Sequence, residues 1–130
     1  EQFRETEQNK NTEFRANGLG ALKNYPLVIL VNQGTASAAE ILAGALRDNR
    51  GIKLVGEKTF GKGSVQELVN LTDGSSLKVT VAKWLTPKGI SISEHGLEPD
   101  YKVAIAEDDA GKNKDPQLDK AVEVLLKMIQ

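Results

Sequence analysis

The feature that most constrains the fold is a continuous apolar run that leads, through a joint of small residues, into a helix-like segment. The run is "PLVILV" (26–31), which is typical of a strand buried on both faces. "DNRG" ends the helix, with Gly51 as its C-terminal glycine, and "IKLVGE" predicts a second strand. This order predicts a β-α-β unit with its helix at about 37–48. The apolar residues of that helix recur at helical spacing and are Ile41, Leu42, Ala45 and Leu46.

The segment that follows is typical of antiparallel β structure. "SVQELVNL" and "SLKVTVAKWLT" flank "TDGS", and an Asp-Gly pair between two β-rich runs predicts a hairpin turning at Asp73 and Gly74. The alternation of apolar and polar residues slips near Lys83 and Trp84, which predicts a bulge there. "TPKGISIS" predicts a turn followed by another short strand. The fold class expected is therefore α/β.

The two ends of the chain carry different patterns. Residues 1–24 are mostly polar and are interpreted as strand fragments, as a loop or as a poorly ordered arm. Since the first residue is not Met, we expect a piece of a longer chain whose main domain here is 25–130. After the polar linker "AEDDAGKNKD", Pro116 fits the first turn of a helix at about 116–129. Its expected docking stripe consists of Leu118, Val122, Leu125 and Ile129.

Composition excludes several classes of function. The charges balance, with 17 basic and 18 acidic residues, which argues against a nucleic-acid surface. There is no cysteine and a single histidine, His95, so we expect no cysteine zinc site, no cofactor and no metal. No apolar run approaches the ~20 residues of a membrane span.

Ser37, at the joint between strand and helix, allows two interpretations. It is a helix cap, a position for which Thr35 competes, or it is a nucleophile with room left by small neighbours. Thr35 is the fallback nucleophile. The free N–H groups of a helix's first turn point toward incoming negative charge. The N–H of Ala38 is therefore a candidate donor to a tetrahedral oxyanion.

Lys62 is the candidate base for Ser37, because the chain offers few others. His95 lies in the polar segment "SEHGLEPD", which is typical of a surface histidine. A neutral lysine amine can take the serine proton without any histidine. Gly61 and Gly63 on either side let other backbone come close to Lys62. The alternative is a solvated surface lysine.

The same turn partly matches a phosphate-binding loop. Gly56, Gly61 and Lys62 fit the pattern G-x-x-x-x-G-K, which then requires Ser or Thr and the start of a helix. Here the next residue is Gly63, and "SVQELVNL" predicts a strand. Nucleotide binding is therefore disfavoured, although equilibrium binding of ATP with magnesium would still test it.

Three blocks of this sequence resemble the carboxyl-terminal processing peptidases, also called tail-specific proteases. The blocks are "VNQGTASAAEILAGALRDN", "VGEKTFGKGSVQ" and "LTPKGISISEHGLEPD", and they occur in the family's order and spacing. By this resemblance Ser37 is the nucleophile, Lys62 its general base and Gln66 the third member of the site. The fold implied is an α/β core of the crotonase and ClpP type. The activity implied is cleavage of proteins near their C-termini.

Three further residues have specific expectations. In an extended strand four residues span about 13 Å, so Gln66 can orient Lys62 only if the chain bends, and Gly63 is the expected place. Trp84 is interpreted as a core or groove-lining aromatic. Glu40 is interpreted as an acidic residue favoured by the helix dipole in the first turn.

The resemblance also implies parts that this sequence does not contain. In the family a PDZ domain recognises the tail, and an upstream strand with an "NPGG"-like turn helps complete the oxyanion hole. Two functions therefore stay open: a Ser-Lys endopeptidase core, and a catalytically incomplete or scaffold version of the same fold. The partners implied are C-terminal tails of proteins or peptides, with a homo-oligomer left open. The implied location is the periplasm, the thylakoid lumen or the outside of the cell.

Overall fold

The helices and strands follow the predicted order. The structure, a computed structural model, describes residue 15 and residues 17–93, 95–106 and 114–130. Most of the predicted N-terminal arm and residues 107–113 of the predicted linker lie outside the described residues. The elements are β1 (Val28–Val31), α1 (Ala38–Arg50), β2 (Lys53–Gly56), β3 (Ser64–Asn70), β4 (Ser76–Lys83), β5 (Tyr101–Lys102) and α2 (Pro116–Met128). The β-α-β unit, the hairpin and the C-terminal helix are thus confirmed.

A parallel sheet in the order β1-β2-β5 lies between the two helices. Leu54 and Val55 of the central strand are both fully buried, and successive strand residues point to opposite faces. One face packs against α1 in a cluster of Val31, Ala43, Leu54, Ile92 and Leu97. The other face packs against α2 in a cluster of Val55, Ala121 and Val124. The sheet is therefore the middle of three layers.

β1 is less enclosed than its apolar run predicts. Val28 packs against the cluster beneath α2, but Leu30 is 43% exposed. Leu30 lies two residues further along the same face, which the described part of α2 leaves uncovered. The expectation of a strand buried on both faces was therefore wrong at Leu30, and the buried strand is β2.

Apart from Glu40, the buried face of α1 consists of small residues rather than large apolar ones. The residues that the helix buries are Glu40, Ala43 and Gly44, whereas Leu42 is 60% exposed. Small side chains let the helix axis lie close to neighbouring structure, and the larger Leu42 is directed away from it. The predicted helix end is confirmed, because Gly51 adopts a left-handed conformation and donates its N–H to the Arg47 oxygen.

The predicted docking stripe of α2 was wrong for three of its four residues. Leu118, Val122 and Ile129 are exposed, and Leu125 is half-buried. The helix instead buries Gln117, Ala121 and Val124. Gln117 donates from Nε2 to the oxygen of Val103 at 2.8 Å, and the small Ala121 permits a close approach to the sheet. The face of α2 that packs on the sheet is therefore the one with Gln117 and Ala121, not the one with the larger apolar residues.

The β3–β4 hairpin turns where the sequence predicts. The N–H of Ser75 donates to the Asp73 carboxylate at 2.9 Å, which closes the turn at Asp73 and Gly74. The short strand predicted after this hairpin does not form. Only an isolated bridge joins Leu85 to Ser91, across the turn between them.

The predicted bulge is present but lies two residues earlier than expected. Val65 lies opposite Ala82, and the next residue of β3 lies opposite Thr80. Val81 is therefore the extra residue on β4, whereas the sequence pattern indicated the neighbourhood of Lys83 and Trp84.

Candidate active site

The parallel sheet brings two loops to one edge. β1 and β2 run side by side with Val31 opposite Gly56, the last residue of each strand. Ser37 follows Val31 by six positions, and Lys62 follows Gly56 by six positions. In open α/β sheets, ligands bind beyond the carboxyl ends of the strands. The topology therefore places both candidate residues at the edge where a site is expected.

Ser37 lies at a strained joint. It occupies the N-cap position of α1 with φ 55° and ψ −118°, and among the described residues it is the only one besides glycines with positive φ. Such a conformation is unfavourable for a residue with a Cβ and recurs at functional sites. Thr35 does not cap the helix, because its Oγ1 accepts the N–H of Asn32 at 3.1 Å. Ser37 itself is exposed to solvent.

Ala38 begins α1, directly after the joint. In the described part of the chain, no group accepts a hydrogen bond from its N–H. This free donor at the positive end of the helix is able to bind an oxyanion.

The turn around Lys62 is held by backbone contacts. The N–H of Gly63 donates to the oxygen of Gly61 at 3.1 Å, and the oxygen of Gly63 accepts the N–H of Trp84 at 2.7 Å. A Cβ on Gly63 would lie 2.4 Å from the nitrogen of Ser93, so only glycine fits this close approach. The chain bends here as predicted, and β3 starts at the next residue.

Two consequences follow from this turn. A strand rather than a helix follows Lys62, so the helix that a phosphate-binding loop requires is missing at this position. Lys62 itself is exposed in the described structure, whereas its backbone is firmly held.

Glu40 connects the two loops. This residue of the first turn of α1 is 0% exposed, and its carboxylate accepts four hydrogen bonds. Oε1 accepts from the Thr59 hydroxyl at 2.5 Å and from the Gly61 N–H at 2.7 Å. Oε2 accepts from the N–H groups of Ser37 and Lys62, each at 2.9 Å. The backbone nitrogens of Ser37 and Lys62 therefore lie within about 6 Å of each other, twice the 2.9 Å length of either bond.

Thr59 extends this network into the loop before β5. Its hydroxyl donates to Glu40 and accepts the N–H of Leu97 at 2.7 Å. The next residue, Glu98, forms ion pairs with Lys102 at 2.8 Å and with Lys58 at 3.3 Å. Hydrogen bonds from these two lysines hold the pKa of the Glu98 carboxyl below its usual value. The loop is thus bound to Thr59 through Leu97 and to Lys58 and Lys102 through Glu98.

Glu40 and Thr59 are the residues that sequence reasoning missed. The sequence indicated an acidic residue in the first turn of α1, and Glu40 does lie there, but its burial and its partners were not foreseen. A partial signal existed, because Ser37 followed three residues later by Glu40 has the spacing of a capping box. The bonds of Glu40 to Thr59 and Gly61 are long-range and have no signal in the local sequence.

The remaining candidates lie further from this network. Gln66 is exposed on β3, and no hydrogen bond among the described residues joins it to Ser37 or Lys62. Trp84 packs partly buried against the core cluster beneath α1 and lines an open groove of about 390 Å³ beside that helix, as its interpretation predicted. His95 is exposed. In the described ranges no group of three or more His, Cys, Asp or Glu side chains is arranged so that it could hold a metal ion.

Comparison with known proteins identifies related sequences. The family model of peptidase family S41 matches residues 1–103. A carboxyl-terminal-processing protease of Synechocystis sp. is 57% identical over 96 residues, which are 74% of this chain and 22% of that protein. The carboxy-terminal processing protease CtpA of Bacillus subtilis is 52% identical over 80 residues, 62% of this chain and 17% of that protein. This chain therefore spans about a fifth of the length of these relatives.

Solved structures share the fold. The photosystem II D1 C-terminal processing protease matches with a TM-score of 0.58 and 53% identity over 61% of this chain and 20% of that one. The tricorn protease matches with a TM-score of 0.66 over 78% of this chain and 10% of that one, and its 22% identity supports the fold alone. The predicted α/β fold class is confirmed. No helix in the described part of the chain is long and apolar enough to cross a membrane.

Proposed function

This chain belongs to peptidase family S41, and we propose that it carries the nucleophile and the base of a serine endopeptidase that cleaves proteins near their C-termini. In this proposal Ser37 is the nucleophile and Lys62 is its general base. One observation carries the proposal: a single buried oxygen of Glu40 accepts the N–H groups of both residues. The backbone nitrogens of two residues that are 25 positions apart in sequence are thereby held within about 6 Å of each other.

The reaction would proceed through an acyl-enzyme. The Ser37 Oγ attacks the carbonyl carbon of the scissile peptide bond while its proton passes to the neutral amine of Lys62. The Ala38 N–H donates to the oxyanion of the tetrahedral intermediate. Lys62 then protonates the leaving amine as the C–N bond breaks. Lys62 then takes a proton from a water molecule, which attacks the ester carbonyl carbon. As the ester C–O bond breaks, Lys62 gives that proton to the Ser37 Oγ, and the acid product leaves.

Gln66 is proposed to orient the Lys62 amine when substrate is bound. The family resemblance supports this role, and the chain bends between the two residues at Gly63, so the spacing of a straight extended strand does not apply to them. Catalytic hydrogen bonds are often long or absent without substrate and tighten in the complex. The hydrogen bond between Gln66 and Lys62 is therefore proposed to form in the complex with substrate.

The substrates proposed are C-terminal tails of proteins or peptides, in an extracytoplasmic compartment. Membership of a peptidase family supports a protein substrate. The names of relatives from Synechocystis sp., Tetradesmus obliquus and Arabidopsis thaliana specify carboxyl-terminal or C-terminal processing, and the last two are chloroplastic. Fractionation of the source cells with an antibody against residues 15–130 tests the compartment.

A fluorophosphonate probe and an unfolded protein substrate test the proposal in the full-length protein. We expect the probe to label Ser37, as mapped by mass spectrometry, and we expect fragments to be released from reduced, unfolded casein. Ser37→Ala abolishes both, while Thr35→Ala, which alters the alternative nucleophile, retains labelling of Ser37. Labelling of Thr35, or full casein cleavage by Ser37→Ala, would remove Ser37 from the mechanism.

A scaffold version of the same fold is the second candidate. The observation that favours it is the exposure of both Ser37 and Lys62, because reactive groups in a working active site are held where bulk water is excluded. A folded wild-type protein that binds unfolded casein but neither cleaves it nor reacts with the probe would support this candidate.

A further inference from the structure

We propose that Glu40 is a positioning residue that holds the Ser37 joint and the Lys62 turn in one fixed relation. The inference rests on the proposed function, because it assigns a task to Glu40 within the same Ser-Lys site. It goes beyond that function in naming which group sets the geometry of the pair. Glu40 is not a catalytic residue here, since its oxygens are fully occupied by groups of the protein itself.

The carboxylate of Glu40 has the partners of a structural acceptor. All four of its hydrogen-bond partners are N–H or O–H donors, which match an acceptor-only group. None of the ion pairs between described residues involves Glu40. A buried carboxylate without a cation depends on such hydrogen bonds, so the surrounding backbone is fixed by the same bonds that satisfy it.

Oε2 of Glu40 accepts hydrogen bonds from the two backbone segments that carry the proposed nucleophile and base. The positive φ of Ser37 persists only if surrounding structure imposes it, and the Ser37 N–H donates directly to Glu40. The Lys62 turn consists of backbone between two glycines, which has many alternative conformations, and its N–H donates to the same oxygen. Loss of this one oxygen therefore frees both partners of the pair.

The bonds of Oε1 fix Glu40 in turn. The Thr59 hydroxyl donates to Oε1 and accepts from the N–H of Leu97, a core residue that is 1% exposed. The chain of contacts thus runs from the core through Thr59 to Glu40 and then to Ser37 and Lys62. Thr59 therefore holds Glu40 in place, and it does so through its hydroxyl group.

Two substitutions separate this role from general stability. Glu40→Gln keeps the shape but replaces one acceptor oxygen with an NH₂ donor. This donor cannot accept the N–H groups of Ser37 and Lys62 on one side, or that of Gly61 on the other, where only the Thr59 hydroxyl can turn to accept from it. Thr59→Val removes the hydroxyl at similar volume, and Thr59→Ser restores it. Val124→Ala is the control, because it weakens the cluster beneath α2 without touching the site.

The first measurement is amide hydrogen exchange by NMR in the full-length protein. In Glu40→Gln we expect exchange about tenfold faster or more at Ser37 and Lys62, or at Gly61 if the NH₂ lies on that side. In Val124→Ala those three amides keep the protection that wild type shows. Unchanged exchange at all three amides in Glu40→Gln would overturn the inference.

The second measurement is the kinetics of casein cleavage below the unfolding temperature of every variant. We expect kcat to fall about tenfold or more in Glu40→Gln and Thr59→Val with little change in KM, and Thr59→Ser to recover near wild-type kcat. A kcat unchanged in Glu40→Gln despite faster exchange would overturn the positioning role, as would a Thr59→Ser as slow as Thr59→Val. If wild type cleaves nothing, the proposed function fails and the role falls with it, whereas the exchange data separately report whether Glu40 holds the two segments.

Discussion

Replacing Gly63 by alanine should displace the turn that carries Lys62. A Cβ at this position would lie 2.4 Å from the Ser93 nitrogen, 2.8 Å from the Ile92 carbonyl carbon and 2.9 Å from the Ile92 Cβ. Two of these three atoms are backbone, and Ile92 belongs to the core cluster beneath α1, so neither segment can yield at low cost. Forcing an extra methyl group into a packed region costs about 1–3 kcal/mol.

Urea unfolding followed by circular dichroism measures this effect. Gly63→Ala should lower the unfolding free energy by about 1–3 kcal/mol with an unchanged m-value. Gly18→Ala is the matched control, because a Cβ there meets nothing within 4 Å and the change should stay within about 0.5 kcal/mol. Because the displaced turn carries Lys62, casein cleavage by folded Gly63→Ala should fall as well. Equal stability of Gly63→Ala and wild type would refute the claim that Ile92 and Ser93 pack directly on this turn.

Two further predictions concern the core and the pH dependence of stability. Leu54→Ala should cost about 2–5 kcal/mol in urea unfolding, since Leu54 is 0% exposed, whereas Leu42→Ala on the open face of α1 should cost less than about 1 kcal/mol. Hydrogen bonds from Lys120 and Lys127 lower the pKa of the Glu123 carboxyl from 4.5 to about 2. Because the folded pKa is depressed, this stabilisation is complete above pH 4.5 and is lost as pH falls toward 2. At neutral pH the melting temperature of wild type should therefore be higher than that of Glu123→Gln, and the two temperatures should converge near pH 2. A difference in melting temperature that stays constant with pH would contradict this.

The local patterns of the sequence were sufficient for the fold but not for every packed face. The run "PLVILV", the Asp-Gly pair and Gly51 each indicate structure through their immediate neighbours. The strand, the hairpin and the helix end that they predict are confirmed, although the strand is exposed at Leu30. The prediction of the docking face of α2 was wrong because apolar residues lie on more than one face of that helix. The face that is buried includes Gln117, which donates to the Val103 carbonyl, and Val103 lies outside the helix's own sequence.

In the candidate site, too, neighbouring residues in sequence indicate which residues matter but not which of them meet in space. Ser37 and Lys62 could be singled out from their surroundings, but their proximity depends on the parallel register that sets Val31 opposite Gly56. Glu40 was interpreted through the dipole of its own helix, whereas two of its partners, Thr59 and Gly61, lie 19 and 21 positions away. Contacts of this range exist only after the strands have paired.

The pH dependence of casein cleavage by Lys62→Arg tests the central claim most directly. Arginine keeps the positive charge and much of the length of lysine but stays protonated, so it cannot accept the proton of Ser37. The account predicts that the wild-type full-length protein releases fragments from casein and that folded Lys62→Arg releases none at any pH at which wild type is active. Cleavage by Lys62→Arg at a rate near that of wild type would contradict the assignment of Lys62 as the base.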